Sequence, residues 1–149
     1  MSPDISLRAM TIRDIDACLA LMQNPKTEEL RHWIGMELWR LLSRNPTLCW
    51  IAQENAHVIG AVFCGHDGWR GYLYHLEIAA SCLRANVASS LLRKVKEQLA
   101  SLNIHKMHVQ IEQEDAARSL FWLDQQWEKR EDIMVFCTEL PRRVKRWAS

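Results

Sequence analysis

Glycine and proline are scarce in this chain, at five and four of 149 residues. No Pro/Gly-rich tract, low-complexity segment or linker interrupts it, which excludes collagen-like and largely disordered architectures. No apolar run approaches the ~18 residues of a membrane-spanning helix. The opening decapeptide MSPDISLRAM carries no apolar signal-peptide core, so a cytoplasmic protein is expected. Neither sign of charge is in excess: 19 Lys and Arg stand against 18 Asp and Glu, a net charge of +1. Whole-chain charge therefore implies neither a nucleic-acid nor an acidic partner. The five cysteines (Cys18, Cys49, Cys64, Cys82, Cys137) show no Cys-x-x-Cys and no Cys/His ligand spacing. They are expected as unpaired reduced thiols, with no metal site.

The length suits one domain over residues 1–149 around one core. Residues 5–10 read as a first strand. Thr11 is placed to cap a helix over residues 12–23, with Ile15, Cys18, Leu19 and Met22 on one face. Asn24-Pro25 breaks it. Thr27 opens a second helix whose apolar stripe includes Leu30, Trp33, Ile34, Leu38, Leu41 and Leu42. Strands follow at 48–53 and 57–64. The loop GHDGWRG holds three of the five glycines and reads as a hairpin connection.

The stretch YLYHLEIAASCLRANVASSLL, residues 72–92, organises the rest. Tyr72, Tyr74, Leu76 and Ile78 alternate with Leu73, His75, Glu77 and Ala79, the period of a strand. Leu83, Val87, Leu91, Leu92, Val95 and Leu99 then recur at helical steps over residues 83–102. A tight strand-to-helix turn aims several orphan N–H groups at whatever precedes the helix, and its default ligand is a phosphate. Alternation resumes at 106–112, Asp115 is placed to cap a helix to residue 126 with Ala117, Leu120 and Phe121 inward, and residues 133–140 read as a last strand. The basic tail from Arg142 onward reads as a solvated charge run.

Residues 83–88, LRANVA, lie on the six places of the Arg/Gln-x-x-Gly-x-Gly/Ala signature of the GNAT superfamily of N-acetyltransferases, which the strand, turn and helix resemble. Ala88 matches; Asn86 stands on a glycine place and Leu83 on the cation place. The order of elements also resembles that family over nearly the whole chain. So do GHDGWRGYLYHLEIA and EDAARSLFWLDQQWEKRE, the latter with Asp115, Phe121, Trp122, Gln126 and Trp127 on the Asn, Phe, Tyr, Gly and final aromatic of an Asn-x-x-Ala-x-x-Phe-Tyr-x-x-x-Gly-Phe segment.

The resemblance implies an α/β (α+β) fold with a mixed, mainly antiparallel sheet flanked by helices. It implies an N-acetyltransferase that takes acetyl-CoA as co-substrate and transfers directly to a primary amine. The acceptor is a small molecule, protein or peptide. No membrane or nucleic-acid partner is implied, and a homodimer is allowed. Backbone at Leu76 and Ile78 would receive the acetyl and pantetheine groups. The turn and helix start, Leu83, Arg84, Ala85, Asn86, Val87, Ala88 and Ser89, would hold the pyrophosphate. Asp115, Arg118 and Trp122 would complete the cofactor site. Asn86 is expected in left-handed backbone, in place of the glycine, and Arg84 is the nearest substitute cation.

The chemistry needs an N–H donor for the acetyl oxygen and a base for the ammonium. His75 and Glu77 share a strand face, ~6–7 Å apart, and either is a candidate base, with Gln110 and Glu112 on the next strand. The same four residues read as the polar face of any half-solvated strand. Trp122 stands where the family often has an acidic Tyr; an indole N–H donates but is no practical acid. A thiol pKa of about 8.5 lets the thiolate leave without one. Arg93, Lys94 and Cys82 read as two solvated helix cations and a buried thiol, and Trp69 as a ring that either lines a substrate or dimer surface or packs on Trp33 or Trp39. The alternative is a catalytically impaired binding or regulatory module of the same fold, motivated by Leu83, Asn86 and Trp122.

Overall fold

The computed structural model describes residues 4–22, 25–80 and 84–142. Two compact units divide the chain, Met1–Glu112 and Gln113–Ser149.

The first unit holds a five-stranded sheet in the order β1-β2-β3-β4-β5. Strand β1 (Ile5–Ala9) leads through a 3-10 turn (Ile12–Asp14) into helix α1 (Ile15–Leu21) and helix α2 (Glu28–Arg44). Strands β2 (Cys49–Glu54), β3 (His57–His66) and β4 (Gly71–Ile78) follow as an antiparallel meander. Helix α3 (Arg84–Ser101) then crosses back to β5 (Met107–Val109), which pairs parallel with β4. The mixed, mainly antiparallel α/β architecture expected from the sequence is what the chain adopts.

Local chemistry sets the boundaries. The Thr27 hydroxyl accepts from the Leu30 N–H at 3.1 Å and starts α2. Asn45 ends it, its buried side chain donating to the Leu41 carbonyl at 3.1 Å. Asn55 and Ala56, both at positive φ (50° and 67°), make the two-residue turn between β2 and β3. Asp67 shapes the next loop by accepting from the Trp69 and Arg70 N–H groups at 2.8 and 2.7 Å. Trp69 is 71% exposed and carries the Arg70 guanidinium 4.4 Å over its ring. Its partner is therefore a loop neighbour, and of the two readings of this ring the exposed surface fits and packing on Trp33 or Trp39 does not.

Strand β3 is buried on both faces from Ile59 to Gly65, as a central strand must be. Ala61 and Phe63 belong to the cluster with Ile15, Cys18, Leu19, Leu38 and Leu42, so α1 and α2 cover that face. On the other face a Cβ at Gly60 would lie 3.0–3.2 Å from Val87, Ile78 and Leu91, so α3 presses there.

The second unit contains α4 (Ala116–Asp124). Asp115 caps it, accepting from the Arg118 N–H at 3.0 Å. Trp122, not Ala117 or Leu120, is its buried residue; it packs against Trp127 (ring centroids 4.5 Å apart) and Phe121 (5.0 Å). An aromatic cluster has overridden the small-residue face that helical spacing suggested. Gln126, on a glycine place of the resembling segment, has φ 66°, the left-handed conformation that favours glycine.

Two expected strands differ. Strand β5 is shorter than residues 106–112. Residues 133–140 form no strand: they are irregular, and Ile133, Met134, Val135, Phe136 and Leu140 are 50–86% exposed. Strand propensity is realised only through a pairing partner, and among the described residues the sheet ends at β5.

The corner between β1 and α1 depends on one buried carboxylate. Arg8 donates to both Asp14 oxygens at 2.7 and 2.8 Å, and the Thr11 N–H donates to the same group at 2.8 Å. The Arg8 hydrogen bond holds the Asp14 pKa below the ordinary carboxylate range despite burial. Stability from this group is present above the ordinary aspartate pKa and is lost as pH falls through the lower folded value. Asp14→Asn should cost about 2 kcal/mol in urea unfolding at neutral pH, with the loss shrinking as pH falls below the ordinary aspartate range. A loss that is the same at both pH values would contradict this account.

Candidate active site

The parallel pairing of β4 with β5 lasts three residues: Gly71↔Met107, Tyr72↔His108 and Leu73↔Val109. Strand β4 runs on to Ile78 after β5 has ended. The ladder on the other side of β4 fixes what this leaves open. The Ala79 N–H donates to the Ile59 carbonyl at 2.7 Å. Antiparallel ladders alternate hydrogen-bonded with non-hydrogen-bonded pairs. Ala61↔Glu77 is thus the next bonded pair, and Gly60↔Ile78 and Val62↔Leu76 are not. The backbone groups of Leu76 and Ile78 therefore point away from β3, toward the side that β5 has vacated.

The side chains divide differently from simple alternation. A register shift between Phe63↔His75 and Cys64↔Leu73 inserts Tyr74 as an extra residue in β4. Such a bulge re-phases the strand. Tyr72 pairs with Gly65, whose Cβ position meets Asn45 and Leu41 of α2, so Tyr72 faces α2. Beyond the bulge, His75 and Glu77 share that face, opposite Phe63 and Ala61. Leu73, Leu76 and Ile78 take the α3 face. His75 and Glu77 are both half-buried, and the His75 ring meets Phe63 edge-on at 6.0 Å.

One cleft of about 350 Å³ opens at the parting of the two strands, lined by Tyr72, Leu73, Tyr74, His108 and Gln110. The Tyr72 ring lies 5.6 Å from His108 and 6.4 Å from Tyr74, each tilted by less than 40°. Burial, ahead of the neighbouring Cys64, raises the Tyr74 pKa, so its phenol stays neutral. Of the four polar residues expected around one cleft, Gln110 lines this one; His75 and Glu77 lie further along β4, and Glu112 is outside the lining. The sequence reasoning missed Tyr72, Tyr74 and His108, because strict alternation put both tyrosines with Leu76 and Ile78. Nothing in the residue types announces the bulge.

Helix α3 begins at Arg84, a few residues beyond β4. Leu83 and Cys82 lie outside the described residues. Among the described residues of α3, Arg84, Ala85, Asn86 and Val87 stand first, and an α-helix leaves its first four N–H groups without an intrahelical acceptor. They are the backbone donors of a helix N-terminus with its partial positive charge. The Ala88 and Ser89 N–H groups fall within the helical ladder. Val87 and Ala88 are buried core side chains, and Ser89 is half-buried. Asn86 is exposed and helical; its carbonyl accepts from the Ser90 hydroxyl at 2.9 Å. It is not among the residues with positive φ, which corrects the expectation of a left-handed Asn86. A glycine there would loosen the first turn rather than relieve strain.

Asp115, Arg118 and Trp122 are grouped around α4. Asp115 caps the helix and pairs with the Arg118 guanidinium at 3.3 Å, and Trp122 fills the aromatic cluster. Lys94 sits 4.6 Å over the Trp50 ring, which gives it a packing role. Arg93 is exposed.

Among the described residues of the first unit the thiols offer no nucleophile. Burial pushes Cys18 and Cys64 up to about 12 and Cys49 up to about 11. These three and the exposed Cys137 are free. Among the described residues no cluster of His, Cys, Asp or Glu could hold a metal, and no helix is long and apolar enough to cross a membrane.

Comparison with known proteins agrees with the fold. Residues 12–123 match the family model described as Acetyltransferase (GNAT) family. An acetyltransferase of Pectobacterium atrosepticum is 27% identical over 143 residues, covering 94% of this chain and 96% of that protein. Among solved structures, the aminoglycoside N-acetyltransferase AAC(6')-Iy in complex with CoA superposes with a TM-score of 0.71 at 14% identity, covering 94% of this chain and all of that one. The PaiA N-acetyltransferase of Thermoplasma acidophilum, in complex with coenzyme A, gives 0.68 at 15% identity, covering 84% and 89%. At such identities the structures speak for the fold alone.

Proposed function

The chain belongs to the GNAT family of acetyltransferases, and on that premise we propose that it moves acetyl from acetyl-CoA directly to a primary amine. The observation that carries the reading is the open edge of β4. Leu76 and Ile78 present backbone groups in the sheet plane where, among the described residues, no strand is paired with them. Amide groups like those of pantetheine can add to such an edge as a further strand would. Acetyl-CoA supplies the acetyl group as an activated thioester. The four N–H groups from Arg84 to Val87 suit its pyrophosphate, with Arg84 as the cation in place of Leu83. Ala88 and Ser89 serve by seating the helix, and Asp115, Arg118 and Trp122 stay in the proposal as cofactor contacts.

The amine nitrogen bonds the acetyl carbon as the carbon–sulfur bond breaks. Its ammonium form gives up two protons, one to a base and one to the leaving thiolate. We assign the base to Glu77, directly or through water. His75, on the same face with its ring edge-on to Phe63, is the alternative base. The donor to the acetyl oxygen is a β4 amide, which costs no reorganisation at the moment of reaction.

The acceptor is a small molecule or a protein or peptide amine. The near-zero net charge gives no support to a nucleic-acid or membrane partner. Buried free thiols fit a cytoplasmic location. We include a homodimer, in which a second copy covers the exposed apolar residues Ile133 to Phe136. Sedimentation velocity at micromolar concentration should give the dimer mass; a monomer would contradict that part.

Calorimetry and kinetics test the whole reading. CoA should bind saturably, and Arg84→Ala should weaken it by about tenfold, 1.4 kcal/mol. The loss should be smaller for a pantetheine fragment without the pyrophosphate. Glu77→Gln should lower kcat/KM by about a hundredfold and remove the acidic limb of its pH profile. No heat at millimolar CoA would refute the proposal and leave a non-catalytic module.

A further inference from the structure

The cleft at the start of β4 has a composition of its own. Three rings, Tyr74, Tyr72 and His108, stand in a row across β4 and β5, with centroids 6.4 and 5.6 Å apart and planes tilted by 37° and 34°. The row bridges the last pairs of the parallel ladder, because Tyr72 and His108 are direct partners in it. Leu73 and Gln110 complete the lining. Among the five lining residues none is acidic.

Each feature narrows the ligand. Three mutually tilted rings supply a polarisable aromatic surface, which favours an aromatic body through stacked or edge-to-face contacts. A polycation such as an amino sugar or a polyamine needs several carboxylates to replace its hydration, and this lining supplies none. The Tyr74 hydroxyl, which stays neutral, and the Gln110 amide can each make one directional hydrogen bond to a substituent. The geometry also fixes the direction of reach. Tyr74 lies two residues before Leu76, ~6–7 Å along the strand. Glu77 shares the face on which Tyr72 stands. A ring seated on Tyr72 and His108 therefore sends a short arm toward the open edge of β4.

We propose that this cleft is the acceptor site, and that the acceptor is a primary amine carried by a short alkyl arm on a flat aromatic ring. Tyr72, Tyr74 and His108 hold the ring, and Gln110 meets a polar ring substituent. This inference rests on the acetyl-transfer reading above.

The test uses the full chain with acetyl-CoA and four amines: 2-phenylethylamine, tyramine, spermidine and neamine. Acetylated product is detected by mass. Aromatic amines should have kcat/KM at least about tenfold above spermidine and neamine. Tyr72→Leu and His108→Leu should each raise KM for 2-phenylethylamine about tenfold with little change in kcat, and Tyr72→Phe should restore the wild-type KM. Preference for spermidine or neamine overturns the inference while upholding acetyl transfer; so does an unchanged KM in Tyr72→Leu. Saturation-transfer NMR with 2-phenylethylamine separates the remaining cases. Ring signals that vanish in Tyr72→Leu, without turnover, uphold the cleft and refute the transfer reading. Neither signal nor turnover refutes both.

Discussion

The parting of two parallel strands is the constraint on which the site depends. A parallel pair keeps its hydrogen bonds only while both strands run. Here β5 stops at Val109 and β4 continues to Ile78. The antiparallel ladder with β3 then decides which β4 residues are turned outward, and it selects Leu76 and Ile78. No side chain has to be chosen for that task. On the proposed reading, this is why a turn with few of the family's preferred residues is compatible with cofactor binding: the donors would be backbone groups of the strand edge and of the first turn of α3. The packing that holds them is conventional. Val87 and Leu91 press on Gly60, and Leu99 lies where a Cβ on Gly71 would sit 2.7 Å away. Helix and strand meet closely at both ends of the crossover.

Much of this was legible in the residues. Helices α2 and α3 followed from their apolar spacing, and Thr27 and Asp115 acted as the caps their chemistry suggests. The meander followed from its turn residues. The free thiols followed from the absence of any ligand spacing. The open edge could be named only by way of the family resemblance, because a backbone N–H leaves no trace in residue type.

What was not legible has physical causes. The bulge at Tyr74 reverses the strand's phase midway, so one alternation rule could not describe both halves of β4. Tyr72 therefore moved from the expected core face to the face of His75 and Glu77, and the cleft expected among four polar residues is lined instead by rings, with Gln110 alone of the four. Asn86 turned out helical because it lies within α3, and the left-handed backbone suggested by its glycine place gave way to the helical spacing that residues 83–102 also carry. Residues 133–140 have the composition of a strand, yet pairing is a property of two segments. In α4, ring-on-ring packing of Trp122 with Trp127 outweighed the spacing of smaller apolar residues.

The central claim is that the β4 edge and the first turn of α3 together receive the cofactor. Amide hydrogen exchange with and without acetyl-CoA tests it most directly, because exchange reports on backbone donors one segment at a time. The account predicts slowed exchange at Leu76, Ile78 and residues 84–87, with the β1–β2 ladder unchanged. Protection confined to other segments, or none under saturating acetyl-CoA, would contradict it.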